Sequence, residues 1–268
     1  MKRAAAAAKI NLALVVGPRR EDGRHELVTV YQRVALCDRL AVERSATLRV
    51  EGFGEDTLVR RALEAVADGS SFRARITKRI PVAAGLGGGS SDAATALRLA
   101  NALRDAPLAD EELHAAAQEL GADVPYFLVD GPQLGSGDGT KLTPLELPQD
   151  YWIVLVLPKG VAKSSTADVY AAFDVRGGEE GYDKRRAELD AAFETVRRPR
   201  DLASLPPNDL ASSPLAEELL ALGAFRADVT GAGPAVYGLF LHGARARAAH
   251  ARISARGRAW RTTPAWYR

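Results

Sequence analysis

The sequence predicts an α+β protein with two domains, and three kinds of observation support this. Several segments are apolar or alternate apolar with polar residues, as β-strands do: 9–16, 25–36, 72–80 and 151–157. Others are typical of α-helices: 92–103, 110–120 and 244–256. Pro144 and Pro148 interrupt the chain before the strand at 151–157, and we place a boundary there, between domains 1–149 and 150–268.

The composition argues against several classes of protein. Of the 268 residues, 47% are hydrophobic and 26% charged, which is typical of a globular chain rather than a disordered one. The formal net charge of +2 gives no reason to expect a nucleic-acid partner. The single cysteine, Cys37, cannot form an internal disulfide and favours the cytoplasm over a secreted setting. No apolar run reaches the roughly 20 residues that a membrane helix needs, and none of the four histidines pairs with another at metal-ligand spacing.

The first predicted strand carries two polar residues on one face. Residues 1–8 begin basic and continue as alanines, which is how a signal peptide starts, but Lys9 and Asn11 end the apolar stretch too early for one. Alternation over 9–16 indicates a half-buried strand, which forms a long-looped hairpin with 25–36. Lys9 is either an edge-strand guard against aggregation or an ammonium that stabilises charge on a transferred phosphoryl group.

A glycine cluster follows the strand at 72–80 and precedes a predicted helix. It reads Gly85-Leu-Gly-Gly-Gly-Ser-Ser-Asp92, so Ser90 or Ser91 is a natural N-cap. Glycines bring backbone N–H groups close to a ligand, and a helix start adds free donors and partial positive charge, which together favour phosphate. The alternative is a plain turn with a capping serine. The cluster matches neither a Walker A loop nor the complete dinucleotide fingerprint.

Two further segments hold candidate site residues. In Gly121-Ala-Asp123-Val-Pro125, the proline suits a first helical turn, which puts Asp123 at or near the N-cap. Asp123 is then either only that cap or a carboxylate that accepts the proton of a substrate hydroxyl. The run Thr230-Gly-Ala-Gly-Pro234, between two predicted strands, is by itself a turn signal.

The C-terminal half adds charged and aromatic segments without a clear site. Residues 174–200 mix glycines with dense charge and predict a solvated excursion with a surface helix. A last strand is predicted at 259–267. Trp260 and Trp266 lie among arginines there, which favours a packed strand with solvated charges over a nucleic-acid surface.

Taken together, these motifs resemble the GHMP kinase superfamily, over about residues 9 to 240. Four stretches carry the resemblance: Ala8–Leu12, Asp22–Leu27, Pro81–Asp92 with Gly121–Pro125, and Thr230–Pro234. The first two are similar to the opening motif and substrate loop of the kinases that phosphorylate the 2-hydroxyl of 4-diphosphocytidyl-2-C-methyl-D-erythritol. The resemblance implies a ribosomal-S5-like ATP domain, a ferredoxin-like α/β sandwich domain, and a site in the cleft between them.

The resemblance also implies roles for individual residues, with ATP as cofactor and Mg²⁺ bound mainly through its phosphates. Asp123 is implied as catalytic base and Lys9 as its partner. A cytidine-diphosphate substrate would contact Asn11, Arg24, His25, Thr166 and Tyr170. The ATP loop would comprise Pro81, Val82, Ala83, Ala84, Gly85, Leu86, Gly87, Gly88, Gly89, Ser90 and Ser91.

This chain departs from the family pattern at several positions. Arg24 stands where the family usually has an aromatic residue, and its planar guanidinium can stack on a pyrimidine.

Three other functions are alternatives to this kinase activity. They are a GHMP kinase for another alcohol, such as homoserine or a sugar, a dinucleotide-dependent oxidoreductase, and a nucleotide-binding module without catalysis. The Asp22–His25 loop argues against the first, and the missing final glycine against the second. Lys9 with Asp123 argues against the third.

Overall fold

The computed structural model describes residues 1–53, 57–161 and 165–265, which form two compact units interleaved along the chain. Unit 1 comprises Met1–Ala8, Leu36–Val82 and Gly87–Asp130. Unit 2 comprises Lys9–Ala35, Ala83–Leu86 and Gly131–Arg268. These units are groups of contacting residues, and the division into domains 1–149 and 150–268 remains a prediction.

Strands and helices alternate irregularly along the chain, which confirms the α+β prediction. The strands are β1 (Lys2–Arg19), β2 (His25–Ser45), β3 (Arg49–Glu51), β4 (Ser71–Thr77), β5 (Gln133–Gly137), β6 (Lys141–Pro144), β7 (Trp152–Pro158), β8 (Arg226–Val229), β9 (Val236–Phe240) and β10 (Gly257–Thr262). The α-helices are α1 (Thr57–Ala65), α2 (Gly88–Asn101), α3 (Asp110–Leu120), α4 (Thr166–Val175), α5 (Tyr182–Thr195), α6 (Pro214–Ala221) and α7 (Gly243–Ile253). Short 3₁₀ helices span Pro125–Leu128 and Pro199–Ser204.

Strand β1 is longer and more deeply buried than its sequence pattern predicts. It begins at Lys2, before the N-terminal alanines, and every residue from Ala8 to Gly17 is buried. Consecutive residues of a strand point to opposite faces, so both faces of this segment are covered. The prediction of a half-buried strand was therefore wrong, and Lys9 and Asn11 are each only 4% exposed. The pairing of β1 with β2 confirms the predicted hairpin.

Unit 1 packs three helices with a small sheet. The second half of β2 pairs antiparallel with β4, from Arg39 opposite Thr77 to Ser45 opposite Ser71, and β3 pairs parallel with β4. Helices α1, α2 and α3 contact one another, and α1 and α2 also contact β4. Strand β4 ends at Thr77, three residues before the predicted end at Ile80. Helix α3 has the predicted bounds, and its N-cap is Ala109.

Unit 2 contains a four-stranded antiparallel sheet in the order β10-β7-β9-β8. Leu219 of α6 and Ala246, Ala249 and Ile253 of α7 pack with Val154 and Val156 of this sheet. The predicted strand–turn–strand at Val229–Phe240 is confirmed by β8 and β9, and the predicted helix at 244–256 by α7. In the same unit, β5 pairs with the first half of β2 and with β6.

Two C-terminal predictions have mixed outcomes. Helix α5, mostly exposed, confirms a surface helix within 174–200. Strand β10 begins two residues before the predicted start and ends at Thr262, whereas Trp266 lies outside the described residues. Trp260 is half-buried, with the Arg258 guanidinium 4.8 Å from its ring centroid. Among the described residues, no helix is both long and apolar enough to traverse a bilayer.

Candidate active site

Lys9 and Asn11 form a buried polar pair on β1. The Lys9 ammonium donates to Asn11 Oδ1 at 2.7 Å, and Asn11 Nδ2 donates to Thr29 Oγ1 on β2 at 2.7 Å. The ammonium also lies 5.6 Å from the centroid of the Tyr31 ring, a cation–π distance. A buried lysine needs such partners, because removing its charge from water is otherwise costly. This partnership is not that of an exposed edge-strand lysine.

The turn between β8 and β9 packs directly against this pair. Thr230, fully buried, accepts the Asn11 backbone N–H through Oγ1 at 3.1 Å. Gly231 has φ +57, and a Cβ there would lie 3.4 Å from Lys9 Nζ. Asn208 holds the same turn by donating from Nδ2 to the Gly231 carbonyl at 2.8 Å. The segment 230–234 is thus more than a connecting turn, because Gly231 packs against the Lys9 ammonium.

The middle of the glycine loop is fixed in unit 2 by backbone hydrogen bonds. Leu86 O accepts the Lys9 N–H at 2.9 Å, and Ala84 O accepts the Ala235 N–H at 3.1 Å. Gly85 has φ +81, and a Cβ there would lie 2.2 Å from Thr230 O. Ala83 also has a positive φ, +62, although it is not a glycine. This part of the loop therefore sits against β1 and the 230–234 turn so closely that position 85 needs glycine.

The end of the loop forms the start of α2 in unit 1. Gly87, at φ +68, is the N-cap, and no side chain caps the helix. The prediction of Ser90 or Ser91 as N-cap was therefore wrong, because the helix begins at Gly88. The first intrahelical bond runs from Ser91 N to Gly87 O, so the N–H groups of Gly88, Gly89 and Ser90 have no acceptor within the helix. Three donors at a helix N-terminus favour an anion.

The loop's two ends differ in exposure. Pro81 is half-buried and Val82 is 60% exposed, whereas Ser91 is buried inside the first turn of α2. A Cβ at Gly88 would lie 2.9 Å from Ile80 Cγ2, so α2 starts in close contact with the chain that leads into the loop.

Sequence patterns did not predict an ionic cluster that includes Asp92, near the start of α2. Lys78 donates to Asp38 Oδ2 at 2.5 Å and to Asp92 Oδ2 at 2.7 Å, and both carboxylates are fully buried. Asp38 Oδ1 also accepts the backbone N–H of Ile80 at 2.9 Å. Burial opposes the charge of Lys78, but the two carboxylates outweigh it and raise the pKa of the ammonium. Asp92, the last residue of the glycine-rich segment 85–92, is part of this ionic cluster.

Asp123 lies in unit 1, in the turn between α3 and the 3₁₀ helix Pro125–Leu128. It is half-buried, and the N-cap of that helix is Val124, so Asp123 precedes the cap by one residue. Pro125 occupies the first turn as predicted. Lys9 belongs to unit 2, and its convergence with Asp123 remains a prediction.

His25 sits in a second polar and aromatic cluster of unit 2. Its ring stacks on Tyr170 of α4 at a centroid distance of 4.9 Å and meets Phe173 edge-on at 5.8 Å. Its Nε2 lies 2.7 Å from Asp174 Oδ1, and Arg19 donates to the other carboxylate oxygen at 2.7 Å. Desolvation opposes the charge of Asp174, but the hydrogen bonds from His25 and Arg19 prevail and lower its pKa. The structure thus joins His25 and Tyr170, and His25 is buried, with only 6% of its surface exposed.

Two other predicted substrate contacts lie at the surface. Arg24 is 63% exposed and donates to Asp138 Oδ2 at 2.5 Å. Thr166 is the exposed first residue of α4, directly after the N-cap Ser165. Neither Asp138 nor Asp174 has a sequence motif that would identify it. In residues 1–53, 57–161 and 165–265, no three His, Cys, Asp or Glu side chains are grouped to hold a metal ion.

Comparisons with known proteins agree on one family. Residues 57–131 match the model for the GHMP kinases N terminal domain and residues 209–259 that for the GHMP kinases C terminal. The 4-diphosphocytidyl-2-C-methyl-D-erythritol kinase of Pelobacter propionicus is 38% identical over 92% of both chains. That of an Anaeromyxobacter species is 41% identical over 93% of this chain and 85% of its own.

Solved structures agree with the sequence relatives. A crystal structure of 4-(cytidine 5'-diphospho)-2C-methyl-D-erythritol kinase, 35% identical, covers 98% of this chain and 99% of its own with a TM-score of 0.79. A mevalonate kinase with 13% identity and a TM-score of 0.75 shares the fold, over 98% of this chain and 99% of its own. Identity of this extent over nearly the whole chain shows that the protein belongs to the 4-diphosphocytidyl-2-C-methyl-D-erythritol kinase family of the GHMP kinases.

Proposed function

We propose that this protein transfers the γ-phosphoryl group of ATP to the 2-hydroxyl of 4-diphosphocytidyl-2-C-methyl-D-erythritol. Relatives known as 4-diphosphocytidyl-2-C-methyl-D-erythritol kinases, 36–41% identical over most of the chain, support the substrate. The observation that carries the chemistry is the buried Lys9–Asn11 pair, which lies against Gly231 of one glycine segment and is joined to the other by the hydrogen bond from Lys9 N–H to Leu86 O. A buried ammonium beside two glycine turns suits charge stabilisation on a phosphoryl group.

ATP is proposed to bind along Pro81–Ser91. The uncommitted N–H groups at the start of α2 and its partial positive charge favour phosphate oxygens. Mg²⁺, which prefers oxygen ligands and supplies charge neutralisation on the phosphates, is proposed to bind mainly through the nucleotide. The Ser90 and Ser91 side chains lie in the first turn of α2, where a hydroxyl can donate its hydrogen to a phosphate oxygen or coordinate Mg²⁺ through its oxygen.

Lys9 and Asp123 are proposed to act on the acceptor alcohol. Asp123 accepts the proton of the 2-hydroxyl, while the Lys9 ammonium stabilises negative charge on the transferred group. The transition state of phosphoryl transfer is loose, so positioning and charge matter more than a strong base. Support comes from the rigid placement of Lys9 by Asn11 and from the position of Asp123 in a half-buried turn.

The cytidine diphosphate part of the substrate is proposed to contact Asn11, Arg24, His25, Thr166 and Tyr170. His25 and Tyr170 already form a stacked pair, and ring faces of this kind bind a pyrimidine by stacking. Arg24 presents a planar guanidinium at the surface, beside Asp138. This arrangement supports a nucleotide-linked substrate over a bare sugar or amino alcohol.

The test is ATP-dependent phosphorylation by the purified protein, followed by ³¹P NMR of the product. Asp123→Asn is expected to lower kcat at least about 10²-fold, the lower range for a general base. Asp105→Asn, at a side chain 90% exposed, is the matched control and should keep wild-type kcat. Wild-type turnover of homoserine but not of the cytidylylated substrate would overturn the proposed substrate. Full activity of Asp123→Asn would overturn the proposed base.

A further inference from the structure

We infer that Thr29 is a positioning residue for the Lys9 ammonium, acting through the side-chain amide of Asn11. The inference rests on the role proposed above for Lys9. All three residues belong to unit 2, and each side chain is buried, with Thr29 only 1% exposed.

A backbone carbonyl determines whether the Thr29 hydroxyl donates or accepts a hydrogen bond toward Asn11. Its single hydrogen donates to the Ala13 carbonyl oxygen at 2.8 Å. Toward Asn11 the hydroxyl oxygen is therefore an acceptor only, and it takes a hydrogen from Nδ2 at 2.7 Å. The amide nitrogen of Asn11 must then face Thr29, and Oδ1 must face the other way.

The opposite end of the amide requires the same orientation. An ammonium has donors and no acceptor, so the contact of 2.7 Å between Lys9 Nζ and Asn11 needs an oxygen there. A reversed amide would place an acceptor against the Thr29 oxygen and a donor against the Lys9 ammonium. The Asn11 backbone is held separately, because its N–H donates to Thr230 Oγ1 at 3.1 Å. Thr29 thus sets the orientation of the amide from its Nδ2 end, while Thr230 Oγ1, 3.2 Å from Oδ1, contacts the other end.

Removing the Thr29 hydroxyl breaks this chain of hydrogen bonds at its fixed end. Asn11 Nδ2 loses its acceptor in buried surroundings, so the amide rotates to find another partner. Lys9 then no longer meets an oxygen at a fixed distance. A displacement of about 1 Å at a catalytic group lowers the rate by about 10²-fold. Thr29 does not contact the glycine loop by any hydrogen bond among the described residues, so ATP binding is left intact.

The test compares Thr29→Val, which has the same shape without the hydroxyl, with Thr29→Ser, which keeps it. We expect Thr29→Val to lower kcat about 10- to 100-fold with KM for ATP within about threefold, and Thr29→Ser to retain kcat within about threefold. Thr262→Val, at a buried threonine on β10, is the matched control and should match the wild type. Equal kcat for Thr29→Val and the wild type overturns the inference, as does an equal loss in Thr29→Ser.

A measurement on the wild type keeps the inference testable if Thr29→Val does not fold. One Asn11 Nδ2 hydrogen should exchange slowly with solvent by ¹H–¹⁵N NMR, and Thr29→Ser should preserve that protection. Rapid exchange of both amide hydrogens in the wild type overturns the proposed geometry. An inactive wild type with a protected Asn11 amide would instead reject the proposed function and leave the hydrogen-bond geometry standing.

Discussion

Gly85→Ala tests how closely the glycine loop approaches the 230–234 turn. An alanine Cβ at this position would lie 2.2 Å from the Thr230 carbonyl oxygen and 3.2 Å from Gly233 N. Ordinary contact begins at 3.4 Å, so the loop or the turn must move by about 1 Å. Both segments border the Lys9–Asn11 pair, because Thr230 Oγ1 lies 3.1 Å from Asn11 N.

Two energy terms contribute to the expected loss. The φ of +81 places a non-glycine residue in the left-handed region, at about 1–2 kcal/mol. The overlap with Thr230 O adds about 1–3 kcal/mol, as overpacking of a fixed core does. We therefore expect the free energy of unfolding to fall by about 2–5 kcal/mol. Because the displaced segments border Lys9, kcat/KM should fall about 10²-fold.

A comparison with Gly69→Ala separates the cost of the positive φ from the cost of the overlap with Thr230 O. Gly69 has a similar φ of +87, but a Cβ at this position would meet no atom of the described residues within 4 Å, so this variant carries only the backbone term. Urea unfolding followed by circular dichroism gives the stability of both variants, and a coupled ADP-release assay gives kcat and KM. Equal stability losses for the two variants, with wild-type turnover by Gly85→Ala, would refute the close-approach reasoning.

Two further predictions concern buried ionisable groups. Lys78→Met leaves the buried carboxylates of Asp38 and Asp92 without their shared cation, so the free energy of unfolding should fall by about 3–5 kcal/mol. Lys184→Met, at a side chain 83% exposed, should change it by less than about 1 kcal/mol in the same urea titration, and similar losses in both variants would contradict the role of the cluster. Burial raises the pKa of Tyr237 to about 12, so between pH 10 and 12 the unfolded state releases a proton that the native state keeps. Stability should then be unaffected by Tyr237 below pH 10 and fall by about 1.4 kcal/mol per pH unit between pH 10 and 12, and Tyr237→Phe should show a shallower alkaline decline; identical slopes would refute the assignment.

Local patterns were sufficient for much of the fold. Local sequence patterns predicted both ends of α3, both ends of β7 to within one residue, and the turn between β8 and β9. Such features depend on neighbours in sequence, because helical and strand periodicity and turn chemistry act over a few residues. Where a segment met unforeseen tertiary contacts, the prediction missed. Helix α2 starts at Gly88 and not after a serine cap, since Gly87 adopts a left-handed conformation and Gly88 packs against Ile80.

The chemistry-bearing residue types could likewise be found without coordinates, but their partners could not. Lys9, Asn11 and the glycine loop stand in recognisable motifs. Thr29 and Asn208 do not, although they hold Asn11 and the 230–234 turn in place. A threonine on a strand looks the same whether its hydroxyl meets solvent or a buried amide.

The order of residues was enough to indicate the family and the α+β class, and to propose candidate side chains for phosphoryl transfer. Three features became visible only in the folded chain: β1 is covered on both faces, Lys78 is shared by Asp38 and Asp92, and Asp174 lies against His25. They could not be read earlier because burial, hydrogen-bond direction and pKa depend on which distant segments meet. Residues 25 and 174 are far apart in the chain, and only folding brings the imidazole and the carboxylate to 2.7 Å.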